Sequence, residues 1–157
     1  MNPSETPNWY KQDKKLIEDA ISSYLDTYLA LPLTPPLEHF KEIVRYGFSG
    51  GKKLRAILAL EFYLALTGKD ISQVRKDSDI LRVCIALEAV HAYSLVHDDL
   101  PCMDNDELRR GEPTLWKKYG EYNAVLAGDF LNSLCFEILS DIKDSTISQK
   151  LSKLISH

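Results

Sequence analysis

The chain has 157 residues, a size suited to one domain, and its 45% hydrophobic content is enough to build a core. A formal net charge of −4, with Lys and Arg dispersed among acids, excludes the electrostatic footprint of a nucleic-acid binder. Three cysteines, an odd number, with Cys84 and Cys135 in apolar helical surroundings, point to free thiols in a reduced, cytoplasmic chain.

Residues 1–13 are polar, lack the apolar core of a secretory signal and are expected to be flexible. Leu16-Ile17, Ala20-Ile21, Tyr24-Leu25 and Tyr28-Leu29 recur every three to four residues and predict a first helix ending before Pro32. Leu31 to Pro36, rich in proline, reads as a connector, and Leu37 to Phe48 as a second helix stopped by Ser49-Gly50-Gly51. From Lys52 to Gly68 the residues are apolar nearly all round, which predicts a central helix with Phe62 and Tyr63 in the core.

Asp77 or Ser78 can cap the next helix, whose face Leu81, Cys84-Ile85, Leu87-Glu88, His91, Ser94-Leu95, Asp98 runs down to an acidic loop. Pro101 disfavours helix at Leu100 and ends it there. A Pro113 to Tyr119 turn, a long helix from Tyr122 to Ile142 and a last amphipathic run through Ile147, Leu151 and Leu154-Ile155 complete the order. No segment alternates with period two, and no run approaches the roughly 18 apolar residues of a membrane span. The fold class is all-α, an antiparallel bundle.

Two constellations carry chemistry. Asp98-Asp99-Leu100-Pro101-Cys102-Met103-Asp104, followed by Arg109-Arg110-Gly111, sets three carboxylates beside two guanidinium groups at the end of an apolar helix. Magnesium takes oxygen ligands from one or two carboxylates and from substrate phosphates, and arginine clamps the remaining phosphate oxygens. Cys102 and Met103 are expected to pack under this loop. On the preceding helix His91, Ser94 and Asp98 face one way, and Tyr93 projects from a neighbouring face. Gly50-Gly51-Lys52-Lys53-Leu54-Arg55 is the second constellation. Paired glycines allow close backbone approach, and Lys52 and Arg55 share a face at a helix amino terminus that already favours anions.

The run Val90 to His97, the aspartates and Glu107 to Thr114 together resemble the first aspartate-rich motif of the trans-polyprenyl diphosphate synthases. The GGKxxR stretch at Gly50 to Arg55 accompanies it as in that family, although Ala56 stands where members usually carry proline. The specific match runs from about Tyr46 to Asp129, and the remainder matches only by helical pattern.

The resemblance implies the isoprenoid synthase bundle, with residues 1–157 as the amino-terminal portion of a single domain. It implies Mg2+ held by Asp98, Asp99 and Asp104 on an allylic diphosphate that Arg109 also grips. Lys52, Arg55, His91 and Arg110 would hold isopentenyl diphosphate, and Tyr93 with Ser94 would set chain length, the bulky Tyr93 favouring farnesyl over geranylgeranyl diphosphate. The implied assembly is a homodimer. Members are about twice as long and carry a second aspartate motif beyond this chain, so a fragment inactive by itself is expected, with a non-catalytic synthase-like subunit as the alternative. An HD-type phosphohydrolase using His91 and His97-Asp98 would leave Lys52, Asp104 and the arginines without a role.

Overall fold

The computed structural model describes residues 6–30, 35–74 and 78–156. Their elements are α1 (Asn8–Tyr28), α2 (Pro35–Phe48), α3 (Leu54–Thr67), a 3-10 turn (Ile71–Gln73), α4 (Asp79–Asp98), β1 (Leu108–Arg109), β2 (Glu112–Pro113), α5 (Leu115–Tyr119), α6 (Glu121–Ser140) and α7 (Ser145–Ile155). Of the connector expected from Leu31 to Pro36, residues 31–34 lie outside the described residues, as do the Asp77 cap and residues 1–5 of the amino terminus, whereas Pro35 and Pro36 already belong to α2. Residues 8–13 of the segment expected to be flexible are helical, because α1 starts well ahead of its apolar stripe.

The centre of the molecule is α4 against α6, with α1, α2 and α3 on α4 and α2, α5 and α7 on α6. Ala86, Ala89 and Ala92 on α4 and Ala124, Ala127 and Gly128 on α6 are small and buried, so the two backbones approach closely. Leu131, Leu134, Ile138 and Leu139 of α6 fill the remainder and are essentially inaccessible. Burying each such side chain contributes about 1.5–3 kcal/mol.

Two core expectations are corrected. Helix α3 buries only Ala56, Ile57 and Leu60, while Leu54, Leu58, Phe62 and Leu66 form an exposed stripe, Phe62 at 66% and Leu66 at 85% accessibility. An apolar circumference does not make a helix central when its neighbours reach one side. Helix α4 occupies that place instead, and it is the one described helix long and apolar enough by length and composition to cross a membrane, with a mean hydropathy of 1.4. Reading uninterrupted runs missed it, because Arg82 and Glu88 break its apolar residues. Its buried face, Leu81, Cys84-Ile85-Ala86, Ala89, Ala92 and Val96, packs in the core. Ser78 occupies its N-cap position without a side-chain cap bond.

Asp13 of α1 is buried, at 2% accessibility, and its Oδ2 has no hydrogen-bond partner. Burial first, then the hydrogen bond and the charge of Glu61 on α3, push its pKa from 3.8 up to about 6. The folded chain thus holds a proton that the unfolded chain releases. This group's stabilising contribution is complete below about 3.8 and is lost as pH rises through about 6. Asp13→Asn, which mimics the protonated form, is expected to raise the melting temperature at neutral pH and leave it nearly unchanged at acid pH. Thermal melts on both sides of that window check it, and an equal loss on both sides would contradict it.

Candidate active site

The loop between α2 and α3 turns through three positive φ values, 68° at Gly50, 80° at Gly51 and, past Lys52, 52° at Lys53. A Cβ on Gly51 would lie 2.2 Å from Nη1 of Arg110, so glycine is required for the arginine to approach the loop. Helix α3 begins at Leu54, which corrects the placing of Lys52 on the helix: Lys52 stands on the loop, where the Tyr10 hydroxyl donates to its carbonyl at 2.7 Å. The left-handed Lys53 points inward, while Lys52 and Arg55 are exposed.

Lys52, Arg55, His91 and Arg110 converge on one cavity of about 560 Å³. Four residues far apart in sequence are thereby brought to a single concave, basic surface. Burial, then the cations Arg55, Arg110, Lys53 and Arg109, hold the His91 pKa below its usual value, so the imidazole is neutral in the free protein. Such a pocket attracts anions, and it is the concave, polar-lined kind of site expected of a small ligand.

The acidic loop folds back on the end of α4. Asp104 N donates to the Asp98 carbonyl at 2.8 Å and Asn105 N to the Leu100 carbonyl at 3.0 Å, with Asn105 at φ 55°. Leu100 is the residue buried beneath the loop, whereas Cys102 and Met103 are exposed, contrary to the sequence expectation. Leu100 lies only two residues past the end of α4 and can still point into the core.

Asp99, at 4% accessibility, is taken up by Arg109, whose Nε donates to Oδ1 at 2.8 Å and Oδ2 at 3.0 Å while Nη2 also reaches Oδ1. The arginine comes from a two-stranded hairpin, β1 paired antiparallel with β2. Arg110 and Gly111 form its turn at φ 59° and 83°, the doubly positive geometry that matches strand twist. A non-glycine residue there costs about 1–2 kcal/mol, offset by the contacts that fix the turn. Tyr46 donates to the Pro113 carbonyl at 2.7 Å, and the Thr114 hydroxyl and Trp116 indole donate to the Asp106 carbonyl at 2.7 and 2.9 Å. The hairpin throws Arg109 onto Asp99 and Arg110 onto Gly51. A second cavity of about 280 Å³, lined by Asp99, Arg109, Arg110 and Tyr46, adjoins the first.

The cavity-lining stripe of α4 is Glu88, His91-Ala92, Leu95 and Asp99. It shares Glu88, His91 and Leu95 with the expected face but ends on Asp99 where Asp98 was expected, and neither Asp98 nor Ser94 lines the two cavities. Ser94 donates to the His91 carbonyl at 3.0 Å, and Tyr93 packs edge-on to His97 with ring centroids 6.1 Å apart. Lys53, Glu88 and Tyr46 also line the cavities, although the sequence pattern gave them no role beyond placing Glu88 on the face of α4 that runs to the acidic loop. The doubled lysine was the visible signal for the first of these, because adjacent residues cannot share one face.

Among the described residues no three His, Cys, Asp or Glu groups close on a common point. Asp98 is half-buried and Asp104 exposed, and neither carboxylate is engaged in a described ion pair. The two residues are linked backbone to backbone at 2.8 Å, and their carboxylates are donors of the kind a hard divalent cation takes together with water and phosphate oxygens.

A profile of the Polyprenyl synthetase family matches residues 37–157. The chain is 41% identical over 137 residues to the farnesyl diphosphate synthase of Geobacillus stearothermophilus, covering 87% of this chain and 42% of that protein. It is 41% identical over 130 residues to the heterodimeric geranylgeranyl pyrophosphate synthase large subunit 1, chloroplastic, of Arabidopsis thaliana, covering 82% and 32%. Among solved structures, the geranyltranstransferase of Thermotoga maritima superposes with a TM-score of 0.77 at 33% identity, over 95% of this chain and 51% of that one. An FPP/GFPP synthase from Zymomonas mobilis gives 0.72 at 38% identity, over 94% and 52%. The chain thus spans less than half the length of these sequence relatives and about half of the structural ones.

Proposed function

Since the chain belongs to the polyprenyl synthetase family, we propose that its two adjoining cavities serve the head-to-tail condensation of an allylic diphosphate with isopentenyl diphosphate. The observation that carries this reading is the convergence of Lys52, Arg55, His91 and Arg110 on one cavity beside the acidic loop. In it, these four bind the isopentenyl diphosphate group, and Arg109, preset by Asp99, grips the allylic diphosphate from the second cavity.

Asp98 and Asp104 are the carboxylates we assign to magnesium, because Asp99 already has Arg109 as its partner. When bound there with diphosphate oxygens, magnesium supplies electrostatic stabilisation for the negative charge of the departing group. Arg109 adds to that stabilisation as the allylic carbon–oxygen bond breaks. The alkene of the second substrate then forms the new carbon–carbon bond, and a proton leaves the resulting cation. Lys52, Arg55 and Arg110 hold the alkene's diphosphate so that this attack is effectively intramolecular. Farnesyl diphosphate is the product we assign, with Tyr93, and Ser94 beside it, limiting chain growth. A cytoplasmic homodimer is the setting.

The test is the native protein with magnesium, isopentenyl diphosphate and dimethylallyl or geranyl diphosphate. Release of pyrophosphate together with a longer prenyl diphosphate is expected, and no prenyl product under any of these pairings would overturn the reading.

A diphosphate entering the first cavity should raise the depressed His91 pKa, so part of the binding below neutral pH is coupled to proton uptake. Calorimetry of inorganic pyrophosphate in buffers of different ionisation enthalpy is expected to show more uptake for the wild type than for His91→Gln. Identical proton counts would place the anion away from His91.

A further inference from the structure

We propose that the buried Lys53–Glu88 pair, which borders the larger cavity, is a positioning device for its basic wall: it sets the direction of Lys52 and Arg55. This rests on reading that cavity as a diphosphate site.

The side chains of Lys53 and Glu88 are 6% and 5% exposed and lie 3.7 Å apart, Nζ to Oε2. Lys53 Nζ donates to the Phe48 carbonyl at 2.7 Å, at the carboxyl end of α2. Glu88 Oε1 accepts from the Ala56 amide of α3 at 3.4 Å. One pair therefore joins the end of α2, the start of α3 and the middle of α4.

Two local features show why the loop needs it. Lys53 is the N-cap residue of α3 at φ 52° and makes no side-chain cap bond, so α3 has no cap from its own sequence. Glu88 serves from α4 instead, a carboxylate placed at the positive end of a helix. A left-handed lysine costs about 1–2 kcal/mol and persists only where its surroundings over-determine it. Here the backbone turn that sends Lys53 inward is the same turn that sends its neighbours Lys52 and Arg55 outward.

Burial lowers the Lys53 pKa, while Glu88 and then Glu18 oppose the shift. Removing Glu88 would leave a poorly solvated cation that swings toward water, which means into the cavity. Removing Lys53 would leave a buried carboxylate unpaired, so single deletions confound position with stability. The informative variant replaces both charges with apolar groups of similar volume.

The experiment is calorimetric binding of inorganic pyrophosphate without magnesium, so that the acidic loop does not contribute. The variants are Lys53→Arg, Glu88→Gln and the double change Lys53→Met with Glu88→Leu, each with a thermal melt. The wild type and Lys53→Arg are expected to bind alike. Glu88→Gln is expected to bind several-fold more weakly, and the double variant at least tenfold more weakly while still melting cooperatively. In the native enzyme Glu88→Gln and the double variant should raise the KM for isopentenyl diphosphate and leave that for the allylic substrate unchanged, while Lys53→Arg should change neither.

A folded double variant that binds as the wild type does would show the pair to be structural only and overturn the proposal. If the double variant does not fold, wild-type binding by the isosteric Glu88→Gln overturns it. Absence of binding to the wild type itself would overturn the diphosphate reading on which the proposal stands, a separate and recognisable outcome.

Discussion

Asp98→Asn and Asp104→Asn are each expected to lower the magnesium-dependent prenyl transfer rate of the native protein by about 10²–10³-fold, the scale of losing one preorganised electrostatic contact in a transition state. Neither carboxylate is fully buried or held in a described ion pair, so the melting temperature should hardly move, as for surface substitutions within about 0.5 kcal/mol. Pyrophosphate binding without magnesium should also be unchanged, because the basic cavity is lined by other residues. Asp99→Asn is the contrasting case. Its carboxylate is buried against Arg109, so that change is expected to reduce stability along with rate. Steady-state rates and melts on the three variants check the distinction, and an Asp98→Asn enzyme with full magnesium-dependent activity would refute the assignment of metal ligands.

Gly128→Ala is the substitution expected to cost most stability. A Cβ there would lie 2.0 Å from Nε2 and 2.3 Å from Cδ2 of His97, far inside van der Waals contact. The ring cannot easily yield, because its Nε2 is held 3.2 Å from the Val125 carbonyl and 3.8 Å from Oδ1 of Asp129. Forcing a methyl group into such a contact costs about 1–3 kcal/mol. In a domain of this size that lowers the melting temperature by roughly 2–4 °C per kcal/mol. His97→Ala in the same background removes the obstructing ring and is expected to restore much of the loss. A Gly128→Ala protein that melts with the wild type would refute the contact. Since His97 immediately precedes Asp98, displacement of its ring should also disturb the acidic loop, and the single variant should lose activity as well as stability.

The helices were legible because their apolar residues recur at helical spacing, and six of the seven described α-helices overlap predicted ones closely. The exception is α5, expected only as part of a Pro113 to Tyr119 turn. The residues bearing charge were legible for a different reason: Asp98, Asp104, Lys52, Arg55 and Arg109-Arg110 are costly to place together without a ligand to bind. What pattern could not supply was direction. The hairpin at Leu108–Arg109 and Glu112–Pro113 has strands of two residues, too short for alternation to register, yet it separates the two arginines by placing Arg109 on a strand and Arg110 in the turn. Lys53 looks like Lys52 in sequence and faces the opposite way.

The sequence by itself determined the all-α class, the family and the set of charged residues at the site, because periodicity and local motif chemistry are properties of neighbouring residues. Only the tertiary structure decided that Arg109 rests on Asp99, that Glu88 holds Lys53 inward, that α4 and not α3 is central, and that the cavity stripe ends on Asp99 and not on Asp98. Each of these is a contact between distant segments. Its energy depends on which neighbour arrives to cover a charge or an apolar face, and no local pattern carries that information.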